Sequence, residues 1–305
     1  MSTQGFHGFT GQRRTVGVLR CQLDGALRLG ESFPHTLISG PSGIGKTMLA
    51  RAVATEFGTN LISSMGDLSP RDLTEHLAGL NNCDFLFIDE AHNLKSAVQE
   101  SLFQAIDNWR IPNLERDTSS RSQLSEDDFV EIKHCTILLA TDQPGRLSNA
   151  LFKRIPVNVS LQFYALKELQ DIVDALATSL DLLISPRAAR LVAKVSGGLP
   201  RKAKHHLENL KRHVRGAARR QINTQQVNRF LCDFGIDANG LTDQERSLGP
   251  KFLRQHRPDL IVYFTDGDGT APRHAPRQPL IWCLTPGGEA PACWGRLVRM
   301  DDKRI

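Results

Sequence analysis

Gly40-Pro41-Ser42-Gly43-Ile44-Gly45-Lys46-Thr47 carries the strongest chemical signal in the chain. Its spacing is GxxxxGK[ST]. The glycines let backbone N–H groups curl around phosphate oxygens, the lysine brings a point charge to the β and γ phosphates, and the hydroxyl reaches Mg2+. Gly43, Gly45, Lys46 and Thr47 are therefore expected to bind a nucleoside triphosphate. Asp89 lies 43 residues after Lys46, where it and Glu90 close the apolar run Phe85-Leu86-Phe87-Ile88. In that place Asp89 would hold the hydrated Mg2+, and Glu90 would orient and deprotonate the attacking water. Asp142, closing the run Thr136-Ile137-Leu138-Leu139-Ala140-Thr141, is the candidate to touch the γ-phosphate or the water. Arg154, twelve residues further on, can reach into a neighbouring subunit and stabilise charge on the transferring phosphoryl group. Arg201 follows Pro200 in the first turn of an expected helix, where a cation runs against the helix dipole and so suggests an anionic partner.

These groups need elements that deliver them to one edge. Thr36-Leu37-Ile38, Phe85 to Ile88 and Thr136 to Ala140 read as buried parallel strands, bounded by turn or polar residues. Thr47 to Phe57, Pro70 to Leu80 and Ala97 to Ile106 place apolar residues three or four apart, as helices do. The alternation predicts an α/β fold with a doubly wound parallel sheet, a P-loop domain over residues 1–160. From 161 to 235 the pattern is helix only, with expected helices at Leu166 to Leu180, Pro186 to Val195, Pro200 to Ala218 and Thr224 to Phe234. A small helical lid is expected there. Seven of the fifteen prolines fall after residue 249, and the region 236–305 receives no assigned fold.

Composition narrows the classes. With 305 residues, 40% hydrophobic and 23% charged, the chain is too apolar for disorder and long enough for two or three domains. No apolar run approaches the roughly 18 to 20 residues that span a bilayer, and the first residues lack the features of a secretory signal. Neither a membrane nor a secreted protein is expected. Six scattered cysteines, none in a CxxC pair, fit a reducing, cytoplasmic setting better than a disulfide scaffold or zinc module. The net charge of +5 is concentrated, because Arg201 to Arg220 holds eight Lys/Arg against Glu208 alone. Such a segment suggests a polyanion partner.

Taken together, these residues resemble the AAA+ ATPases and, among them, the RuvB family of Holliday-junction branch-migration motors. The resemblance runs from Gly8-Phe9-Thr10-Gly11-Gln12 through the phosphate loop, Phe85 to His92 and Thr136 to Asp142. It continues in Leu161-Gln162-Phe163-Tyr164, Gly198-Leu199-Pro200-Arg201 and Gly240-Leu241-Thr242-Asp243, covering about residues 8 to 250. It implies ATP and Mg2+ as cofactors. It also implies nucleotide contacts from Gly43, Lys46, Thr47, Met48, Tyr164 and Arg201, with Arg154 as an arginine finger. Asp107-Asn108-Trp109 stand where the family has Glu-Asp-Phe, which implies a wall of the nucleotide site. The implied partners are double-stranded DNA, a four-way junction, further copies of the chain in a homo-hexamer, and a RuvA-like junction-binding protein.

The chain also departs from the family. Asp142 replaces the usual Thr, Ser42 replaces a Pro, and Asn113 to Asp128 is long and polar where the family has a hairpin that docks RuvA. No winged helix is recognisable after Lys251, so the region 236–305 reads as degenerate or replaced. Two further readings fit the same residues: a AAA+ switch or loader that remodels a protein partner, and a diverged or truncated RuvB-like ATPase without branch migration.

Overall fold

Strand burial explains the central sheet. In the computed structural model, β3 (Phe85–Asp89) buries Phe85, Leu86, Phe87 and Ile88, and β6 (Thr136–Thr141) is buried along its whole length. Runs apolar on both faces belong in the middle of a parallel sheet covered by helices on each side. The observed order is β2-β3-β6-β1-β7, all pairs parallel, with β1 at Thr36–Ser39, β2 at Leu61–Met65 and β7 at Val157–Ser160. The edge strand β7 alternates buried Val157 and Val159 with exposed Asn158 and Ser160. Structure is described for residues 5–113, 129–214, 221–242, 260–265, 279–284 and 295–299. The chain divides into two units, Met1–Ile222 and Asn223–Ile305.

Around this sheet the helices are α1 (Arg13–Leu29), α2 (Lys46–Phe57), α3 (Pro70–Ala78), α4 (Ser96–Asn108) and α5 (Asn149–Arg154). Side chains alternate across the sheet. Leu86, Ile88, Ile137 and Leu139 join Leu73 and Leu77 of α3 and Val98 and Leu102 of α4 in one core. Phe85 instead meets Phe33 and Phe57, with ring centroids 5.8 and 5.7 Å away. Helices on both faces make the sheet doubly wound, as expected. Each fully buried Leu, Ile or Phe side chain contributes about 1.5–3 kcal/mol.

Local signals set the helix ends. Ser69 and Asp72 form a reciprocal capping box at α3, with Pro70 at its first position. After β7 come α6 (Leu166–Ser179), α7 (Pro186–Val195) and α8 (Pro200–His213), and the Ser185 hydroxyl caps α7 by accepting from the Ala188 N–H. The part of the expected helix Pro200 to Ala218 beyond Val214 lies outside the described residues. Between α4 and β6 the chain makes an antiparallel pair, β4 (Arg110–Pro112) with β5 (Phe129–Glu131), and the Arg110 guanidinium lies 4.5 Å from the Phe129 ring centroid. Its connecting residues 114–128 are outside the described set.

The second unit contains α9 (Thr224–Asp233), capped reciprocally by Asn223 and Gln226, and three strands, β8 (Ile261–Thr265), β9 (Leu280–Leu284) and β10 (Arg296–Arg299). They form a parallel sheet in the order β10-β9-β8, with Trp282, Cys283 and Leu284 buried. The region left without a fold on sequence grounds thus contains a small parallel sheet. Among the described residues, no helix is long and apolar enough to cross a membrane.

Candidate active site

The site forms at the carboxyl ends of β1, β3 and β6, which are neighbours in the order β3-β6-β1. Open α/β sheets bind ligands at that edge. The phosphate loop leaves β1 at Gly40, whose N–H donates to Thr141 O at 3.1 Å, and enters α2 at Lys46. The α2 N-terminus therefore presents free N–H groups and the positive end of the helix dipole to the loop. Lys46 is buried, and its Nζ donates to Gly40 O at 2.9 Å and Pro41 O at 3.3 Å. The lysine ties the loop together and holds its charge inside the curl.

Gly43 requires its lack of a side chain. Its φ is +79°, and a Cβ there would lie 2.7 Å from Arg201 Cβ. The close approach continues in hydrogen bonds: Arg201 N donates to Gly43 O at 3.2 Å, and Arg201 Nη1 donates to Ser42 Oγ at 3.1 Å. The lid arginine thus sits on the phosphate loop, and an anion in the loop would answer the cation at the α8 N-terminus. Tyr164 completes this side. Its N–H donates to Gly198 O at 3.1 Å, and its ring packs beside Gly11, with its hydroxyl and the Phe9 ring close to Gly45. Burial, then the nearby Glu168 carboxylate, pushes the Tyr164 hydroxyl up to about 12, against a hydrogen bond from Gln12. Met48 is exposed on the first turn of α2.

At the end of β3, Asp89 Oδ2 accepts from Thr47 Oγ1 at 2.8 Å, and Asp89 Oδ1 accepts from Glu90 N–H at 2.9 Å. A hydroxyl and a carboxylate oxygen placed together are hard oxygen donors of the kind Mg2+ takes. Glu90 has φ +51°, a left-handed conformation that turns its side chain off the strand axis. Gly66 permits that turn, because a Cβ there would collide with Glu90 O. Gly66 N–H also donates to Asp89 O at 2.7 Å. Next to Glu90, Asp142 at the end of β6 joins His92 from the short 3-10 turn Ala91–Asn93. Possible ligand atoms of Glu90, His92 and Asp142 all lie within 4.8 Å of one another. A carboxylate held beside the phosphate loop can take a proton from water.

The structure thus brings together Gly43, Gly45, Lys46, Thr47, Asp89, Glu90, Asp142, Tyr164 and Arg201. Asp107, Asn108 and Trp109, expected to wall the nucleotide site, do not lie beside the chain's own phosphate loop. The helix after a parallel strand runs back toward the amino edge of the sheet, and thirteen-residue α4 therefore ends there. Trp109 stacks on His134 at 4.3 Å and lies 5.6 Å from His35, both just ahead of strands. Asn108 Nδ2 donates to Gln104 Oε1 at 2.9 Å. Arg154 is at this edge too, and its Nε donates to Asp107 Oδ2 at 2.7 Å while its guanidinium lies 4.6 Å over the Phe103 ring.

Sequence reasoning passed over His92, Thr141 and Gly66. His92 gave a weak signal as the fourth residue of Asp89-Glu90-Ala91-His92, but Gly66 gave none, since its role depends on how β2 pairs with β3. On the basic stretch, Lys211 Nζ donates to Leu180 O at 2.6 Å and Lys204 pairs with Glu208 at 3.8 Å, while Arg215, Arg219 and Arg220 lie outside the described residues.

Comparison with known proteins agrees with this architecture. Residues 1–161 match the family of the Holliday junction DNA helicase RuvB P-loop domain, and residues 185–301 match a VWA-like domain family (DUF2201). The Holliday junction branch migration complex subunit RuvB of Thermotoga petrophila is 33% identical over 251 residues, covering 82% of this chain and 74% of the relative. That of Prosthecochloris aestuarii is 35% identical over 244 residues, covering 79% and 69%. The solved structure of the Thermotoga maritima RuvB Holliday junction branch migration motor superposes with a TM-score of 0.73 at 31% identity, over 83% of this chain and 80% of that one. A phosphate loop, an Asp-Glu strand end and a lid arginine, in a fold and sequence shared over four-fifths of the chain, place the protein in the RuvB family of AAA+ ATPases.

Proposed function

We propose that this chain is an ATP-hydrolysing motor of the RuvB kind that moves double-stranded DNA at four-way junctions, working in the cytoplasm as a homo-hexameric ring. The observation that carries the reading is the placement of Lys46, Thr47, Asp89 and Glu90 at one strand edge with Arg201 of the lid seated on Gly43. The division into an ATPase domain over 1–160, a helical lid over 161–235 and a separate C-terminal region over 236–305 belongs to the same proposal.

ATP would lie with its phosphates in the curl of residues 40–47, met by Lys46 Nζ and the α2 N-terminus, and with its base beside Tyr164. Thr47 and Asp89 would hold Mg2+, which when bound offsets the charge of the phosphates. Glu90 would orient the attacking water and take its proton. Arg201 would read the γ-phosphate and carry its presence into the lid. Arg154 stands at the opposite sheet edge from its own loop, so its action on a phosphoryl group would be in trans, with Asp107 holding the guanidinium until a neighbour's nucleotide replaces it. ATPase rates with and without four-way-junction DNA test the reading. Stimulation by the junction, weakening as salt rises, is the expected result, because phosphate contacts release counterions. A rate indifferent to junction and duplex DNA removes the motor.

One observation favours a second reading, a AAA+ switch that remodels a protein partner. The second unit holds three parallel strands, and residues 185–301 match a VWA-like family. On that reading, deleting residues 236–305 abolishes partner-stimulated ATPase and leaves any DNA response intact. A RuvA-like protein would be a partner of the first reading, docking on the β4–β5 pair.

A further inference from the structure

His92 lies where the ends of β3 and β6 meet, and nothing in the proposed reaction yet uses it. The 3-10 turn Ala91–Asn93 follows Glu90 directly and turns the imidazole back over the strand ends. The side chain is only 8% exposed, and its Nδ1 faces three oxygens: Thr141 Oγ1 at 3.1 Å, Glu90 Oε2 at 3.4 Å and Asp142 Oδ1 at 3.5 Å. Thr141 Oγ1 already accepts the Gln143 N–H at 3.0 Å. Asp142 Oδ1 is buried and has no hydrogen bond among the described residues. Two carboxylates converging on one nitrogen repel each other unless a donor stands between them, and the low local dielectric strengthens both effects. With its hydrogen on Nδ1, the imidazole can be that donor.

We propose that His92 is a positioning residue for hydrolysis: through Nδ1 it holds the Glu90 carboxylate in the orientation that faces the attacking water, and it ties that orientation to Asp142 at the end of β6. The proposal rests on the reading of Glu90 as the group that handles water. A second buried histidine supplies the contrast. His35 gives its Nδ1 to one backbone donor, the Ile137 N–H at 3.0 Å, a purely architectural use. His92 faces side chains that could otherwise rotate, two of them carboxylates on different strand ends. Without His92, Glu90 is free to leave its orientation, while Lys46 and Arg201 still hold the phosphates. The rate of hydrolysis should therefore fall and nucleotide binding should not.

The test uses the full chain, with steady-state ATPase and binding of a fluorescent ATP analogue. His92→Ala is expected to lower kcat about tenfold or more, the scale typical of a group that orients another, with KM and the analogue's Kd within about twofold of the parent. His92→Asn, whose amide takes the place of Nδ1, recovers most of that loss; His92→Gln, which reaches toward Nε2, does not. Asp142→Asn costs less in the His92→Ala background than it costs alone, because His92 joins the two. A parental kcat for His92→Ala overturns the proposal, as do equal rates for His92→Asn and His92→Gln. If His92→Ala does not fold, that Asn and Gln pair decides. Glu90→Gln separates the two failures: parental turnover by it removes the base assignment, whereas an inactive Glu90→Gln beside a fully active His92→Ala removes only the positioning role.

Discussion

The two edges of the five-stranded sheet are built on different principles. At the carboxyl edge the chain turns through left-handed conformations at Gly40, Gly43, Gly45 and Glu90, and polar groups face one another around an open loop. At the amino edge the surface is closed: Trp109 stacks on His134, His35 is buried beside them, and Arg154 lies on Asp107. Helices that return against the strand direction carry Asp107 and Arg154 away from the loop by the length of β1, about 13 Å for four residues. On the proposed reading, one subunit would hold the phosphate-binding half of a site at one edge and the finger half at the other. On that reading a neighbouring copy would bring the halves together.

Separating the edges by mutation gives the largest expected effect. Arg154→Ala should lower hydrolysis by about a thousandfold or more, the usual scale for an arginine finger, and leave nucleotide affinity unchanged. Mixed with Glu90→Gln subunits it should regain partial activity, measured as ATPase across mixing ratios. A monomer that hydrolyses ATP at full rate would erase the contrast between the edges. At the carboxyl edge, Glu90→Gln should bind ATP but turn over about 10²- to 10⁴-fold more slowly, whereas Lys46→Ala should fail to bind it, as calorimetry would read.

A subtler change sharpens the picture of the carboxyl edge. Gly66→Ala puts a Cβ against Glu90 O and should displace the carboxylate, lowering kcat about tenfold to a hundredfold with little change in affinity. The control is Gly17→Ala in α1, which meets nothing within 4 Å and should raise stability by about 0.5–1 kcal/mol in thermal unfolding. Activity equal to the parent in both variants would show that Glu90 does not depend on its backbone turn.

The amino edge should show itself in pH dependence of stability. Burial lowers the His35 pKa to about 4 from an ordinary 6.5. Between those values the unfolded chain takes up a proton that the folded chain refuses, so stability falls as pH drops through this window, by up to about 3 kcal/mol. His35→Asn, which keeps an acceptor for the Ile137 N–H, should flatten that slope in denaturant titrations from pH 7 to 4. The same slope in both proteins would mean that the amino edge opens before it titrates.

What was legible in the sequence follows burial. β3 and β6 stand out because both faces are covered, which leaves unbroken apolar runs, and the phosphate loop stands out because its chemistry is contiguous. β2, Leu61-Ile62-Ser63-Ser64-Met65, and β7, Val157-Asn158-Val159-Ser160, are short edge strands whose polar residues hide them. The strands β8, β9 and β10 are lost among prolines that read as loop. In the site, His92, Thr141 and Gly66 act across neighbouring strands, and their meeting depends on register that linear spacing does not carry. Asp107-Asn108-Trp109 lie away from the loop of their own chain for a related reason: a motif at the end of a helix says nothing of the direction in which that helix runs.

The contact of Arg201 with Gly43 has a mechanical consequence. A backbone bond from Arg201 N to Gly43 O fixes the root of α8 to the loop that would grip the phosphates, with no flexible side chain between. The fourteen residues of α8 are about 21 Å long and pack on α6 and α7, so a shift of the loop would move the three helices as one body. A tilt of that body by about 10° at Pro200 would sweep the far end at His213 through roughly 4 Å by that length alone. Amplification of this kind would need no relay of side chains, since its extent would follow from the length of α8 alone.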